Sequence, residues 1–270
     1  MILNGSAALK RWRGKWALVT GASAGIGLAL AAELAAVGTN LILTARRRER
    51  LQTLAERLSY QHGVRVEMFP ADLTLAIAPE QLFTFTEKQG IVVDLLVNNA
   101  GFGSYGRFQF SDRARQLAMV QVNVAAVVAL THLYLPKMIE RRRGDILIVA
   151  STAAFQGLPY LATYAATKAF GLLFAEALAE EVRGQGVRVC ALCPGPTATE
   201  FQAVAGEPRR AYQYGTETAA KVARVGLMAL ARGRSYAISG VGNYLSAHAQ
   251  RLAPRQFVTR MAAKVLRPPA

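Results

Sequence analysis

The sequence predicts an α/β fold built as a doubly wound parallel sheet, with helices covering both of its faces. Apolar strand-like runs alternate with helical patterns along most of the 270 residues, and such β-α-β alternation produces parallel sheets between two helical layers. Hydrophobic residues make up 52% of the chain, enough for a large buried core at this length. We therefore expect a single domain, with a core over residues 15–240 and a basic helical extension over residues 241–270.

Four short apolar runs mark the strands of the first half, and the third of them alternates between apolar and polar residues. Helical patterns separate these runs; the first opens on glycines and the second is strongly charged. The predicted strands cover residues 16–19, 41–44, 64–69 and 92–97. The predicted helices cover residues 25–37, 47–60 and 79–89.

Two long helical patterns and two apolar strands follow in the second half, at residues 114–141, 145–150, 160–183 and 187–192. Residues 200–215 break the pattern with Gly, Pro, Arg and Tyr, which is typical of a mobile lid rather than a domain linker. A helix and a short strand are expected to close the sheet, and one or two amphipathic helices follow them. These elements are predicted at residues 216–232, 235–239 and 245–266.

Two segments resemble a signal peptide or a membrane-spanning helix in composition. Residues 10–32 combine basic residues with an apolar run, but their glycine pattern and Glu33 favour a strand, turn and helix over a signal peptide. Residues 117–136 carry no charge, yet polar residues such as Gln121 and Asn123 favour a buried helix over a membrane span. We therefore expect a cytoplasmic protein.

Cys190 and Cys193 form a C-x-x-C pattern with apolar neighbours. They do not make a disulfide framework, which fits a reducing compartment. No second pair or nearby histidine completes a zinc site, so buried structural thiols are favoured over redox or zinc chemistry. We expect no metal site.

The chain is strongly basic, with 32 Lys and Arg residues against 17 Asp and Glu residues and a net charge of +15. Such an excess favours solubility and a weak affinity for anions, and part of it could serve a phosphorylated cofactor. No helix-turn-helix, zinc or RNA-binding motif accompanies the charge, so we expect no nucleic acid partner. Peripheral contact between the Arg-rich tail and an anionic membrane is a less favoured alternative.

A glycine pattern follows the first predicted strand, in Thr20-Gly21-Ala22-Ser23-Ala24-Gly25-Ile26-Gly27. A phosphate group requires backbone N–H donors at a helix N-terminus and no Cβ atom in its path. The spacing is G-x-x-x-G-x-G, not G-x-G-x-x-G, and a glycine-rich turn packed closely on the sheet is the alternative interpretation. We predict a Rossmann-like dinucleotide site.

The end of the second predicted strand indicates which dinucleotide is preferred. A carboxylate there would accept hydrogen bonds from the ribose hydroxyls, but this chain has Ala45 followed by Arg46. An arginine pairs with a 2′-phosphate that a carboxylate would repel. We therefore expect NADP(H) to be preferred over NAD(H); the alternative is that residues 46–50 only begin a solvated helix. Asp72, after the third strand, could accept from the adenine amino group.

Tyr164 and Lys168 share one helical face at i, i+4, and Ser151 follows a predicted strand. A free tyrosine, with a pKa of about 10, is a poor acid-base catalyst near neutrality. A nearby ammonium group stabilises the phenolate and lowers that pKa. Tyr160 lies on the same face but has no lysine four residues later. The three residues predict proton transfer to a carbonyl oxygen that Ser151 holds.

With these motifs in order, residues 15–239 resemble the short-chain dehydrogenase/reductase family in its typical single-domain form. The resemblance is carried by the glycine pattern, Asn98-Asn99-Ala100-Gly101, Asn123, Ser151, Tyr164-x-x-x-Lys168 and Pro194-Gly195. It implies an NAD(P)-dependent oxidoreductase that reduces a carbonyl or oxidises an alcohol. The alternatives are a catalytically silent nucleotide-binding regulator or scaffold, and an epimerase or dehydratase on the same fold.

The resemblance implies four catalytic residues. Tyr164 would protonate the carbonyl oxygen, Lys168 would lower the tyrosine pKa and bind the nicotinamide ribose, and Ser151 would orient the carbonyl. Asn123 would hold a water that links Lys168 to solvent. With the residues argued above, the expected cofactor-binding set is Gly21, Ser23, Ala24, Gly25, Ile26, Gly27, Arg46, Asp72, Leu73, Asn99, Ala100, Gly101, Val122, Tyr164, Lys168, Pro194, Gly195 and Thr197.

The chain departs from its family after the last strand, where Ser239-Gly240-Val241 and a basic tail replace the usual Asp-Gly-Gly turn. The tail could cover the substrate mouth, mediate a dimer or lie on a membrane. A homo-oligomer, dimer or tetramer, is expected, with a dimer as the default. The variable loops supply aromatic residues such as Phe102, Phe155 and Phe201, which suits an apolar small-molecule carbonyl. Arg107, Arg209 and Arg210 could instead contact an anionic acyl carrier.

Overall fold

One parallel sheet of seven strands forms the centre of the protein. The computed structural model describes residues 5–206 and 216–268. The strand order is β3-β2-β1-β4-β5-β6-β9, and a separate pair, β7-β8, lies outside this sheet. The strands are β1 Trp16–Thr20, β2 Asn40–Thr44, β3 Val66–Met68, β4 Val93–Asn98, β5 Gly144–Val149, β6 Val187–Cys193, β7 Thr197–Ala198, β8 Glu217–Thr218 and β9 Tyr236–Ile238.

Helices cover both faces of the sheet, as the alternating pattern predicts. The described helices are α1 Gly5–Leu9, α2 Gly25–Ala36, α3 Arg48–His62, α4 Ala78–Lys88, α5 Arg113–Val120, α6 Ala126–Glu140, α7 Ala162–Glu181, α8 Phe201–Ala205, α9 Ala219–Ala231, α10 Val241–Ala249 and α11 Arg255–Leu266. Short 3₁₀ turns add Lys10–Trp12, Phe108–Phe110, Thr152–Phe155 and Gln250–Leu252. The doubly wound parallel sheet is therefore confirmed.

The strand order reverses between β1 and β4, and this reversal opens a crevice beyond the carboxyl ends of the strands. Strands β1, β4 and β5 are buried along their whole length, which is why apolar residues dominate them, with the buried Asp94 and Asp145 as exceptions. Gly21, Asn99 and Ser151 directly or closely follow these three strands. The sheet thus gathers the predicted motifs along one edge.

The long helix predicted at residues 114–141 is interrupted. A π-helical turn, Gln121–Ala125, separates α5 from α6 and carries Asn123. By length and composition, Arg113–Glu140 is apolar enough to cross a membrane. In the fold, however, α6 packs on the sheet, and the hydroxyl groups of its Tyr134 and of Thr86 lie 3.0 Å apart in the interior. Helix α6 is therefore packed on the sheet, as the polar residues of the segment indicate, whereas Leu117 and Val120 of α5 remain exposed.

The N-terminal segment packs into the core, a feature that the sequence does not predict. Trp12 is fully buried, and its indole nitrogen donates to Asp145 at 2.8 Å. Arg11 and Arg188 pair with the same buried carboxylate at 3.3 and 2.9 Å. These contacts tie the first residues to β5 and β6 across the sheet.

We expect Trp12→Ala to lower the free energy of unfolding by about 3–5 kcal/mol, since it opens a cavity and leaves Asp145 without its indole donor. Trp12→Phe retains most of the apolar volume but removes the indole N–H. Its smaller loss of unfolding free energy therefore measures the contribution of the hydrogen bond. Urea denaturation measures both values. A loss for Trp12→Ala no larger than that for Tyr60→Ala, at an exposed position, would contradict this anchoring.

Both cysteines lie buried in β6 as free thiols. Burial raises the pKa of each thiol to about 12, so thiolate is scarce at neutral pH and their nucleophilicity is low. Among the described residues, no group of His, Cys, Asp and Glu has the arrangement of a metal site.

Candidate active site

The glycine loop between β1 and α2 is built so that only glycine fits at two of its positions. Gly21 adopts a φ of +65°, a region that side chains rarely occupy. A Cβ atom on Gly27 would lie 2.3 Å from the carbonyl oxygen of Gly21 and 2.4 Å from the Asn99 amide. Helix α2 can therefore start directly beneath the loop, with its N-terminus facing the crevice.

The N-terminus of α2 fits a phosphate group. Its N-cap residue, Ala24, has no side chain that could accept from the first backbone N–H groups. The same turn carries Ser23, Gly25 and Ile26 at the wall of the crevice. Free N–H donors, a favourable helix dipole and an unobstructed backbone approach are what a dinucleotide diphosphate requires.

A hydrogen-bond network fixes the segment after β4 against the glycine loop. Thr20 Oγ1 accepts from the backbone N–H groups of Asn99 and Ala100, both at 2.9 Å. The Asn99 amide donates to the Thr20 carbonyl at 2.7 Å. The Asn99 amide thus joins the ends of β1 and β4.

The arginines in the turn after β2 differ in whether they are paired with other side chains. Arg46 is exposed at the rim of the crevice and makes no ion pair with any described residue. Arg47 instead donates to Ser23 Oγ at 3.2 and 3.3 Å and pairs with Glu200 at 2.8 Å. Arg50 contacts the same carboxylate at 2.6 Å. Arg46 is therefore the arginine available to an anion at this corner.

Tyr164 and Lys168 lie on the crevice side of α7, and both are buried. The Lys168 ammonium is 5.8 Å from the centre of the Tyr164 ring and donates to the Val149 carbonyl at 2.7 Å. Burial lowers the pKa of Lys168 to about 8. The ammonium is thus charged at neutral pH, close to the phenol, and held by the end of β5.

Ser151 occupies the first position after Ala150 at the end of β5. Its hydroxyl oxygen accepts from the Ala153 N–H at 3.1 Å and lies 3.5 Å from the Pro194 carbonyl. The 3₁₀ turn Thr152–Phe155, which Ser151 caps, holds this side chain at the wall that also carries Tyr164.

Asn123 stands behind the crevice wall instead of lining it. Its amide donates to the Phe102 carbonyl at 3.0 Å and to Thr167 Oγ1 at 3.0 Å, and its oxygen accepts from the Phe102 N–H at 3.1 Å. A Cβ atom on Gly101 would lie 3.0 Å from Asn123 Oδ1 and 3.3 Å from Lys168 Nζ. Both polar atoms therefore face the small space that the glycine leaves open.

The predicted residues converge on one cavity of about 810 Å³. The whole expected cofactor set lines it, together with Ser151, Tyr164 and Lys168, whereas Asn123 does not. Asp72 lies at its wall, and its carboxylate accepts from the Thr74 N–H at 3.0 Å. The hydroxyl group of Thr197 donates to the Gly195 carbonyl at 2.9 Å.

Thr199 and Asn243 are among the cavity residues that the sequence does not predict. Thr199 lies against the glycine loop, with its side chain 3.1 Å from where a Gly25 Cβ would stand. Asn243 in α10 packs on Gly195, where a Cβ would lie 2.2 Å from the Asn243 amide. The Pro-Gly-Pro-Thr-Ala-Thr run gives a signal for Thr199, but nothing in the local sequence signals Asn243.

The C-terminal tail covers the apolar end of the cavity. The side of α11 formed by Val258, Ala262 and Leu266 faces the lining residues around Tyr105 and Phe201. The Tyr105 hydroxyl donates to the Leu266 carbonyl at 2.7 Å. Of the three roles open to the tail, the structure thus supports covering the substrate mouth. Arg209 and Arg210 lie outside the described residues.

The model of one protein family, short chain dehydrogenase, matches residues 15–210. This chain belongs to the short-chain dehydrogenase family. The match covers the glycine loop, the residues after β4 and β5, and the Tyr164/Lys168 pair, so it confirms the family predicted from those motifs. The family consists of NAD(P)-dependent oxidoreductases.

Two curated relatives show how far this similarity extends. A hydroxysteroid dehydrogenase-like protein 1 of Gallus gallus is 36% identical over 199 residues, which cover 72% of this chain and 58% of the relative. A very-long-chain 3-oxoacyl-CoA reductase of Pyrenophora tritici-repentis is 35% identical over 181 residues, 66% of this chain and 53% of the relative. The chain thus spans somewhat more than half the length of these curated relatives.

Solved structures of family members share the whole fold. A 7β-hydroxysteroid dehydrogenase superposes with a TM-score of 0.85 at 28% identity, over 94% of this chain and 99% of the other. A short-chain dehydrogenase from Sphingobium yanoikuyae in complex with NADPH gives 0.81 at 28% identity, over 91% and 95%. A Burkholderia phymatum member in complex with NAD gives 0.81 at 25% identity, over 89% and 94%. Both nucleotides occur among these neighbours.

Proposed function

We propose that this short-chain dehydrogenase is an NADP(H)-dependent reductase of apolar ketones or aldehydes. The observation that carries the proposal is the convergence of Ser151, Tyr164 and Lys168 with the glycine loop on a single cavity. The nicotinamide supplies or accepts the hydride when it is bound. The glycine loop would hold the diphosphate, and Lys168 would hold the nicotinamide ribose.

The protein's own residues would manage the proton and the position of the substrate. Ser151 would donate to the carbonyl oxygen and orient it toward the Tyr164 hydroxyl. Tyr164 would give its proton to that oxygen, and the Lys168 ammonium would stabilise the phenolate that remains. A water in the space beside Gly101, held by Asn123 Oδ1, would link the Lys168 ammonium to solvent, from which the transferred proton would be replaced.

The substrate end of the cavity favours an apolar molecule. Phe102, Leu158, Leu161 and Phe201 line it, together with the inner side of α11. Few charged groups face this end. An apolar ketone could therefore bind there without removing water from protein groups that would then lack a hydrogen-bond partner. The steroid and long-chain acyl names of the relatives agree with this class of substrate.

The test of this function is NADPH and NADH oxidation against a panel of carbonyl compounds that ranges from small aldehydes to steroid-like ketones. We expect the highest kcat/KM for bulky apolar ketones with NADPH. Equal rates for small hydrophilic carbonyls would contradict the proposed substrate class. Failure of every carbonyl with both nucleotides would contradict the reductase assignment.

Cofactor preference provides a sharper prediction. Ala45 stands where a ribose-binding carboxylate would stand, and Arg46 is available to a 2′-phosphate. Such a charge-assisted contact is worth about 1.5–3 kcal/mol, or about 10- to 150-fold in affinity. We expect wild-type protein to bind NADPH more tightly than NADH by such a factor, and Ala45→Asp with Arg46→Ile to reverse the preference.

Fluorescence titration of both nucleotides measures this preference. Arg46→Ala alone should weaken NADPH binding and leave NADH binding nearly unchanged. Arg48→Ala, an exposed neighbour outside the cavity lining, is the matched control and should change neither. Tighter binding of NADH than of NADPH by the wild type would show that the arginine run only begins α3.

We further propose a cytoplasmic homodimer. Leu117, Val120 and Val128 on α5 and α6, and Leu173 on α7, are exposed apolar residues. Exposed apolar residues on long helices are suited to an interface between copies. Sedimentation equilibrium measures the mass, and a monomer at all concentrations would contradict the dimer.

A further inference from the structure

The outer face of α11 combines two kinds of side chain in adjacent stripes. Phe257, Met261 and Val265 recur every four residues and remain exposed, at 58%, 44% and 72%. Arg260 and Lys264 form a second exposed stripe beside them. Helical geometry places the two stripes next to each other, because residues four apart lie on one side. We call these five residues the outer face of α11.

The charged residues near this face in the sequence are all cationic. The chain contains no Asp or Glu after Glu217, whereas Arg251, Arg255 and Arg267 flank the outer face. No residue of α11 is buried. A helix that exposes three large apolar side chains beside only positive charge is unusual on a soluble surface and indicates a partner.

Charge complementarity decides which partner fits. A second copy of the chain would bring the same basic stripe against itself in a two-fold contact, without a carboxylate from either tail. A nucleic acid would match the charge but leave Phe257, Met261 and Val265 without apolar contacts. The headgroup region of an anionic bilayer matches both stripes, since apolar residues enter the acyl boundary while Lys and Arg contact lipid phosphates.

We propose that the outer face of α11 binds the surface of an anionic lipid membrane. This binding does not depend on the catalytic proposal. It does have a consequence for catalysis, because Phe257, Met261 and Val265 also line the cavity mouth. An apolar substrate dissolved in the bilayer would then reach the cavity directly from the lipid.

The proposal is tested by sedimenting the full-length protein with vesicles. We expect binding to vesicles of equal parts phosphatidylcholine and phosphatidylglycerol, and much weaker binding to phosphatidylcholine alone. Added salt should release the protein, since the attraction between Lys or Arg and anionic lipid is screened. Arg260→Glu with Lys264→Glu should lower the partition coefficient by roughly tenfold or more.

A control variant distinguishes binding through this face from attraction by the net charge of the protein. Arg57→Glu with Lys88→Glu changes the net charge equally, at exposed positions on α3 and α4, and should retain most of the binding. Phe257→Ser should also weaken binding while leaving the melting temperature unchanged. An unchanged far-ultraviolet circular dichroism spectrum and melting temperature show that the Arg260/Lys264 variant is folded.

Three results would overturn the proposal. One is equal loss of binding in the control and in the Arg260/Lys264 variant, which would indicate attraction by net charge alone. Another is binding to phosphatidylcholine as strong as to the anionic mixture. The third is a wild-type oligomer that Phe257→Ser dissociates while lipid binding is absent, which would assign the face to a second copy.

Discussion

Tyr164→Phe is expected to reduce kcat by roughly a hundred- to ten-thousand-fold, the range that general acid catalysis contributes. The substitution removes one oxygen from a buried ring that packs 5.1 Å from Phe201. The ring and its packing remain, so the cavity should keep its shape. What is lost is the proton that would be transferred to the carbonyl oxygen. Nucleotide affinity should therefore change little.

Tyr160→Phe is the matched control for this prediction. Tyr160 lies four residues before Tyr164 in the turn that precedes α7, has a φ of +68° and does not line the cavity. Steady-state rates with saturating NADPH distinguish the two tyrosines. A Tyr164→Phe enzyme within tenfold of the wild-type kcat would eliminate Tyr164 as the acid. A loss of nucleotide binding would instead show that the ring supports the cofactor site.

The sheet and the glycine loop could be predicted because short-range chemistry determines them. Strands such as β4 and β5 are mostly apolar since both of their faces are covered, so composition marks them even though each carries one buried aspartate, Asp94 or Asp145. Gly21 and Gly27 are required by a positive φ and by a close backbone approach, both of which depend on residues of one loop. The order of the motifs then places them at one edge of the sheet.

The remaining features depend on partners far away in the chain. The burial of Trp12 is decided by Asp145, 133 residues later, and no local pattern reveals it. The π-helical turn that carries Asn123 interrupts an otherwise helical sequence, and the Asn123 amide is hydrogen-bonded to the backbone of Phe102, 21 residues earlier. The position of α11 over the cavity depends on a hydrogen bond from Tyr105. Periodicity predicts a helix, but not the surface on which it packs.

Lys168→Met is expected to raise the pKa of Tyr164 by roughly two units. The Lys168 charge lies 5.8 Å from the centre of the Tyr164 ring, and in a protein environment of effective dielectric constant about 20 a unit charge at that distance is worth about 3 kcal/mol. Methionine retains the aliphatic stem, so loss of charge is the main change. In the reducing direction the basic limb of the pH profile should move upward. In the oxidising direction, rates at neutral pH should fall by roughly a hundredfold.

Because Lys168 is buried, the difference between the wild-type and Lys168→Met rates should depend on pH. Burial lowers its pKa to about 8, so the ammonium holds the tyrosine pKa down below that pH and loses this effect as the pH rises through it. In the oxidising direction, which requires the phenolate, the wild-type and Lys168→Met rates should therefore differ most below pH 8 and approach each other above it. Parallel profiles at all pH values would show that the charge of Lys168 does not act on Tyr164.

Stability measurements provide the control for Lys168→Met. The folded-state pKa of Lys168 lies below its unfolded value, so the charged lysine costs stability below about pH 8, and this cost disappears as the pH rises toward the unfolded value. Methionine removes that cost but leaves the Val149 carbonyl without its donor. We expect a melting temperature at neutral pH at least equal to that of the wild type, with weaker NADPH binding. A marked drop in melting temperature would assign the loss of activity to misfolding, and unchanged nucleotide affinity would remove Lys168 from the ribose site.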